Sequence, residues 1–252
     1  MAETVQGLVL REVRYKESDR ILTLLTDKRG KITLKAQGAL GKKSRIAAAT
    51  QSLCFSEFSL EPAGYSGAAG QWRIASASTV EQFLGLREDI AALALGVYFA
   101  ELLETVCAEE MADGAALSLG LNALYALSRK LYEPAHIKAV FELRLMAIEG
   151  FEPDLGGCAV CGRPDVREPM FSPDSGLLHC RECGGAVYGG AMPLDEAALA
   201  AMRHIVTAEP KKIYNFALPA ESEQRLARVC ESFVSRQLDR QFASLEYWKS
   251  VR

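Results

Sequence analysis

Arg20-Ile-Leu-Thr-Leu-Leu-Thr26-Asp-Lys-Arg-Gly30-Lys-Ile-Thr-Leu-Lys-Ala-Gln37 carries two strand patterns either side of a turn. Its second half alternates strictly. Ile32, Leu34 and Ala36 are apolar, while Lys31, Thr33, Lys35 and Gln37 are polar. Successive side chains of a strand point to opposite faces, so a period of two marks a strand buried on one side and wet on the other. The first half is apolar and β-branched, and Asp27-Lys-Arg-Gly30 supplies turn residues. The stretch predicts a β-hairpin whose wet face bears lysines.

Further strands are expected over Thr4–Tyr15, Gln51–Glu61 and Gln71–Val80, the last two joined by the glycine-rich Gly64-Tyr-Ser-Gly-Ala-Ala-Gly70. Five short strands in about eighty residues fit a small closed barrel. An OB-fold is one candidate, and strand count alone does not separate it from an SH3-like barrel. From Leu84 the period changes. Ile90, Leu93, Val97 and Ala100 fall at helical spacing, and that run continues to about Cys107. Asp113-Gly114 breaks it; further helices are expected over Ala115–Leu131, from Pro134 to Gly150, from Pro193 and Asp195 onward, and over Glu221–Gln241. The expected class is α+β, with an OB-fold barrel over residues 1–80 and an α-helical domain over 81–252. That helical domain holds a zinc-ribbon-like insert at 154–192, where Gly, Pro and Cys replace the helical period.

Apolar residues make up 49% of the 252, enough to bury a core without disulfides. The net charge of -3 taken alone argues against a polyanionic partner, but it is unevenly spread. Residues 1–50 hold eleven Lys/Arg against five Asp/Glu, and residues 81–154 hold five against thirteen. A basic working surface on the first domain and a different partner for the second are expected. No apolar run is long enough for a membrane helix, and Met1-Ala2-Glu3-Thr4 does not begin a signal peptide, so a cytoplasmic location is expected.

In that reducing compartment paired cysteines point to metal. Cys158-Ala-Val-Cys161 and Cys180-Arg-Glu-Cys183 form two CxxC pairs eighteen residues apart. Zinc prefers four thiolates in a tetrahedron, and each CxxC turn presents two sulfurs to one ion. Cys158, Cys161, Cys180 and Cys183 are therefore expected to bind one structural Zn2+, with no open position for catalysis. Paired redox motifs are the alternative, but the βαβ surroundings they need are missing. His179 is expected to be a solvent-facing neighbour. Cys54, Cys107 and Cys230 read as small core residues, and no chemistry is assigned to His136 or His204.

The basic side chains of the first domain are the candidate DNA contacts: Arg14, Lys28, Arg29, Lys31 and Lys35, then Lys42, Lys43 and Arg45 in the loop Gly38-Ala-Leu-Gly-Lys-Lys-Ser-Arg45. Lys16 and Arg20 flank them. Cations beside glycines suit close, charge-assisted contact with phosphate. Gly41-Lys-Lys-Ser44 departs from a nucleotide-binding phosphate loop at Ala36 and Lys43. Stacking aromatics are sparse, with Tyr15 the best placed, which favours binding led by the backbone with little sequence preference.

A basic small barrel, an acidic helical body and a four-cysteine insert, in that order, resemble the RecO family of recombination mediators over essentially the whole chain. The similarity rests on Tyr15-Lys-Glu-Ser-Asp-Arg20, Thr26-Asp-Lys-Arg-Gly30 and the Gly38 to Arg45 loop. It continues through Leu86-Arg-Glu-Asp-Ile90, Tyr98-Phe-Ala-Glu-Leu102, the CxxC pairs and Ser244-Leu-Glu-Tyr247. The resemblance implies a non-catalytic repair protein that binds single- and double-stranded DNA, anneals complementary strands and helps a recombinase displace single-strand binding protein. It implies RecR and the acidic C-terminal tail of single-strand binding protein as partners, with Arg129, Lys130 and Lys138 the candidate contacts for that tail, and association with the nucleoid. The family loop usually carries more arginine around Gln37 and Leu40, so the loop here is thinner. The alternative is a zinc-ribbon adaptor that binds protein partners only, with the basic hairpin as its docking surface.

Overall fold

Alternation gives each early strand one face to bury, and a sheet of such strands hides those faces best by closing on itself. In the computed structural model, which describes residues 3–62, 72–184 and 190–252, that closure is complete. Strands β1 (Glu3–Tyr15), β2 (Asp19–Thr26), β3 (Gly30–Ala36), β4 (Phe55–Pro62) and β5 (Trp72–Glu81) form a barrel in the order β1-β2-β3-β5-β4. β1 returns to β4 antiparallel, while β3 meets β5 in parallel at Lys35 and Arg73. This closure is the OB arrangement and decides between the two candidate barrels. The Gly64–Gly70 connection and Gln71 lie outside the described residues, as do residues 185–189 of the cysteine insert.

Val5, Val9, Leu22, Leu24, Ile32, Leu34, Phe58 and Leu60 fill the barrel. The hairpin pairs from Thr26 with Gly30 to Arg20 with Ala36, which turns Ile32, Leu34 and Ala36 inward together. Gly30 has φ +63, and a Cβ there would lie 1.8 Å from the Met111 carbonyl oxygen. Only glycine closes this turn beneath that backbone.

Helices α1 (Leu84–Arg87), α2 (Ile90–Val106) and α3 (Gly114–Ser128) follow. Asp89 accepts from the Ala91 and Ala92 N–H groups, and Asp113 from that of Ala116, so both long helices carry side-chain N-caps. Next come α4 (Pro134–Ile148), β6 (Pro169–Ser172), β7 (Leu177–Cys180), α5 (Arg181–Gly184), β8 (Met192–Pro193), α6 (Glu196–Thr207), α7 (Ala220–Gln237) and α8 (Ala243–Val251). The last long helix expected over 221–241 is α7, which stops at Gln237 because Asp239 takes a left-handed φ of 45 that no helix continues through; a further helix, α8, follows it.

Packing groups residues 1–129 and 242–252 into one unit and 130–241 into another. The first holds the barrel with α1, α2, α3 and α8. Residue 80 marks the change of period rather than a change of packing unit. In the second unit, α4, α6 and α7 accompany a three-stranded sheet in the order β7-β6-β8.

Two expectations are corrected here. α4 is buried along nearly its whole circumference, Lys138 included. The Lys138 ammonium, 2% exposed, lies 2.9 Å from carboxylate oxygens of both Glu142 and Glu231. A buried cation must be paired, and the pairing here is internal, so Lys138 offers nothing to an acidic partner. His179 is fully buried rather than solvent-facing, because β7 is covered on both faces, with Leu178, His179 and Cys180 all inside.

Candidate nucleic-acid interface and metal centre

The hairpin register divides the candidate DNA contacts between two ends of the barrel. Lys28 and Arg29 sit in the β2–β3 turn, while Lys35 lies at the far end of β3, about 15–20 Å along the strand. At the turn end the cations are engaged within the protein. The Lys28 ammonium donates to the Thr4 carbonyl at 2.7 Å. Arg29 pairs with Glu3 and lies 4.2 Å over the Trp72 ring. Lys31 donates to the Glu104 carbonyl at 2.7 Å, in the last turn of α2, where the helix dipole favours a cation.

The other end gathers Arg14, Lys16, Lys35 and the 38–45 loop, and its geometry is set by two residues whose role the sequence did not reveal. Asp19, 6% exposed, accepts from the Gly38 N–H at 2.8 Å and pairs with Lys35 at 2.8 Å. The Leu40 N–H donates to the Ser18 carbonyl at 2.8 Å beside it. Arg20 donates to the Ala47 carbonyl at 3.2 Å and to Thr50 Oγ1 at 3.0 Å, and pairs with Glu12. Together they pin the loop to the β1–β2 turn at its start and end. Only the family-like stretch Tyr15 to Arg20 hinted at this; spacing could not, because the partners lie up to 30 residues away.

The pinned loop holds Lys42, Lys43 and Arg45 exposed, beside exposed Arg14. Among the described residues none of the four side chains makes an ion pair or hydrogen bond with another. The structure thus leaves these four of the eight candidates open, gives Lys35 to Asp19, and engages Lys28, Arg29 and Lys31 with Thr4, Glu3 and Glu104.

The Lys35 ammonium and then the Gly38 N–H hold the Asp19 carboxyl below the usual carboxylate range. A depressed folded pKa means that the anchor is complete above the ordinary carboxylate pKa and weakens only as pH falls through the lower folded value. Asp19→Ala should raise hydrogen exchange of the amides from Gly38 to Gly41 by about tenfold at neutral pH, the effect of losing a charge-assisted bond. Unchanged protection there, read by mass spectrometry, would show that the loop is held by other means.

The cysteine insert is built from two turns joined by the β6–β7 hairpin. The first knuckle closes with the Gly162 N–H donating to the Cys158 carbonyl at 2.8 Å, and Gly162 takes φ +71, as that turn requires. The Ala159 N–H donates to the Leu178 carbonyl at 2.8 Å, laying this knuckle along β7, which delivers Cys180. Beneath the hairpin, Phe171 meets Phe233 of α7 edge to face at 5.5 Å.

The four sulfurs of Cys158, Cys161, Cys180 and Cys183 lie within 4.8 Å of one another, with Cys161 and Cys180 Sγ 3.9 Å apart. A tetrahedral ion with bonds of about 2.3 Å places its sulfurs about 3.8 Å apart, whereas a disulfide needs about 2.05 Å. The cluster fits a metal ion. Burial alone would raise the Cys158 thiol, but N–H groups of Cys161, Cys180 and Val160 outweigh it and bring it to about 6. Hydrogen bonding to Cys180 and burial push Cys183 up to about 12. A dication removes this conflict by stabilising every thiolate at once, with release of protons. Burial, by contrast, raises the Cys54 and Cys230 thiols, leaving them inert core groups.

Comparison with known proteins agrees with this architecture. The family model described as Recombination protein O N terminal matches residues 1–78, and that described as Recombination protein O C terminal matches residues 87–246. The DNA repair protein RecO of Desulforudis audaxviator is 32% identical over 247 residues, 98% of this chain and 96% of its own length. Those of Acetivibrio thermocellus and Symbiobacterium thermophilum are 29% and 28% identical, over 97% and 98% of this chain and 95% and 97% of their own lengths. With an OB barrel under the first match and a four-cysteine cluster inside the second, this chain belongs to the recombination protein O (RecO) family.

Proposed function

We propose that the chain binds single- and double-stranded DNA without reading sequence, anneals complementary strands and helps load a recombinase on DNA covered by single-strand binding protein. It acts by binding rather than by catalysis. The observation that carries this reading is the set of open cations, Arg14, Lys42, Lys43 and Arg45, held at one end of the barrel by the Asp19 and Arg20 anchors. Such cations replace counterions along the phosphate backbone, and two strands held on a common cationic surface repel each other less. Residues 1–80 serve as the DNA-binding domain. Lys28, Arg29, Lys31 and Lys35 contribute to its field more than to direct contact, since each already has a partner.

Cys158, Cys161, Cys180 and Cys183 hold one Zn2+, which supplies folding energy and no reactive position. RecR and the acidic tail of single-strand binding protein are the proposed protein partners, with Arg129 and Lys130 the remaining candidates for the tail. A cytoplasmic, nucleoid-associated location is part of the same proposal; among the described residues no helix is long and apolar enough to cross a membrane.

Neutralising about five phosphates gives log affinity a slope of roughly -4 to -5 against log salt. Replacing Lys42, Lys43 and Arg45 together by Ala should flatten that slope by about 2 to 3 and weaken binding about a hundredfold near 0.15 M salt. Fluorescence titrations at several salt concentrations read both. An unaltered salt dependence in the triple variant would sink the site.

A further inference from the structure

The basic end of the barrel carries something besides charge. Cross-strand pairing sets Val13 opposite Ile21, and Ile21 opposite Lys35, so the three share the outer face of the barrel. Tyr15 stands two residues beyond Val13 and falls on the same face. Val13 is 43% exposed and Tyr15 37%, with Ile21 half-buried beside them. A flat apolar strip with an aromatic ring at its tip therefore opens to solvent, next to the open cations.

Two ammonium groups lie close to that ring. Lys16 takes a left-handed φ of 55, rare for a side chain with a Cβ, and this turns it back so that its Nζ lies 5.4 Å from the Tyr15 ring centroid. Lys35 Nζ lies at the same 5.4 Å, held there by Asp19. Duplex DNA presents phosphates to such a surface but keeps its bases stacked inside. A single strand presents both phosphates and free base faces, and stacking on an aromatic ring tolerates any base.

We infer that Tyr15, close to Lys16 and Lys35, is a platform on which an unpaired nucleobase stacks, giving this end of the barrel a preference for single-stranded over duplex DNA. The inference rests on the DNA-binding reading above and assigns it a discriminating residue. A phosphate flanking the stacked base falls to Lys16, Lys35 adds its field from its pairing with Asp19, and the strand continues toward Arg14 and the 42–45 loop.

The test uses the full-length protein with its metal, a labelled oligo(dT) and a labelled duplex. Tyr15→Ala should weaken oligo(dT) binding about tenfold while moving duplex binding by less than about twofold. Tyr15→Phe should bind both as the parent does. Tyr15→Trp should lose fluorescence on adding oligo(dT) but not duplex, above the contribution of Trp72 and Trp248. Equal losses on both DNAs in Tyr15→Ala, or undiminished oligo(dT) binding, would overturn the platform. The Lys42, Lys43 and Arg45 triple variant separates the two claims. If it loses both DNAs while Tyr15→Ala loses neither, stacking is wrong and the interface stands; if the parent protein binds neither DNA, both fall.

Discussion

Cys158→Ser should bring bound metal from one ion per chain to nearly none and unravel the insert around it. Cys158 is the most enclosed of the four clustered cysteines, 2% exposed, and its sulfur accepts the Cys180 N–H at 3.4 Å. Serine at this position offers a hydroxyl that does not ionise near neutrality and a harder, shorter-reaching ligand. Structural zinc supplies apparent folding energies of about 10–16 kcal/mol in small peptides, as large as the whole stability of a typical domain at about 5–15 kcal/mol. The hairpin is short, β6 and β7 being four residues each, and α7 meets it through Phe233 against Phe171 and through Gln237, which donates to the Pro173 and Asp174 carbonyls. Elemental analysis of the purified variant, with limited proteolysis between residues 154 and 192, reads the outcome. A full complement of metal in Cys158→Ser would show that the four thiolates are not the ligand set. Chelation of the parent protein should reproduce the variant's proteolytic pattern.

Phe242→Ala should destabilise the barrel unit by about 3–5 kcal/mol, the cost of removing a buried phenyl ring and leaving a cavity. Phe242 is 2% exposed and meets Tyr98 of α2 edge to face at 5.6 Å. It leads into α8, whose Leu245 and Trp248 are also buried and whose Ser244 hydroxyl donates to Glu101 of α2. The last eleven residues of the chain thus belong to the unit begun by its first strand. The expected fall in melting temperature is on the order of 10 °C. Tyr247, 51% exposed on the same helix, provides the contrast: its change to Ala should cost less than about 0.5 kcal/mol. A Phe242→Ala variant that melts with the parent would mean that α8 is an appendage rather than part of the unit.

Much of this was legible in the chain. The alternation from Lys31 to Gln37 announced a half-buried strand, and β3 is that strand. The CxxC spacing announced a cluster, and the four sulfurs converge. Both signals are local, since a strand's period and a knuckle's turn are fixed by residues a few positions apart. The stop of α7 at Gln237 was not legible, because Asp239 in a left-handed turn looks like any polar residue in a helical run, and neither was the short α8.

The sequence by itself determined that a small β-barrel precedes helices, that the early strands carry excess positive charge and that two cysteine pairs lie in reach of one ion. Tertiary structure alone decided which cations stay open. Lys138 meets Glu231 from 93 residues away, Lys31 meets the end of α2 from 73 residues away, and Asp19 reaches across to Gly38 to hold the loop. Periodicity reports which face of an element is polar, but the partner that covers a charge comes from another element. A lysine's availability is therefore a property of the fold, set by the cost of burying an ammonium without a carboxylate or carbonyl beside it.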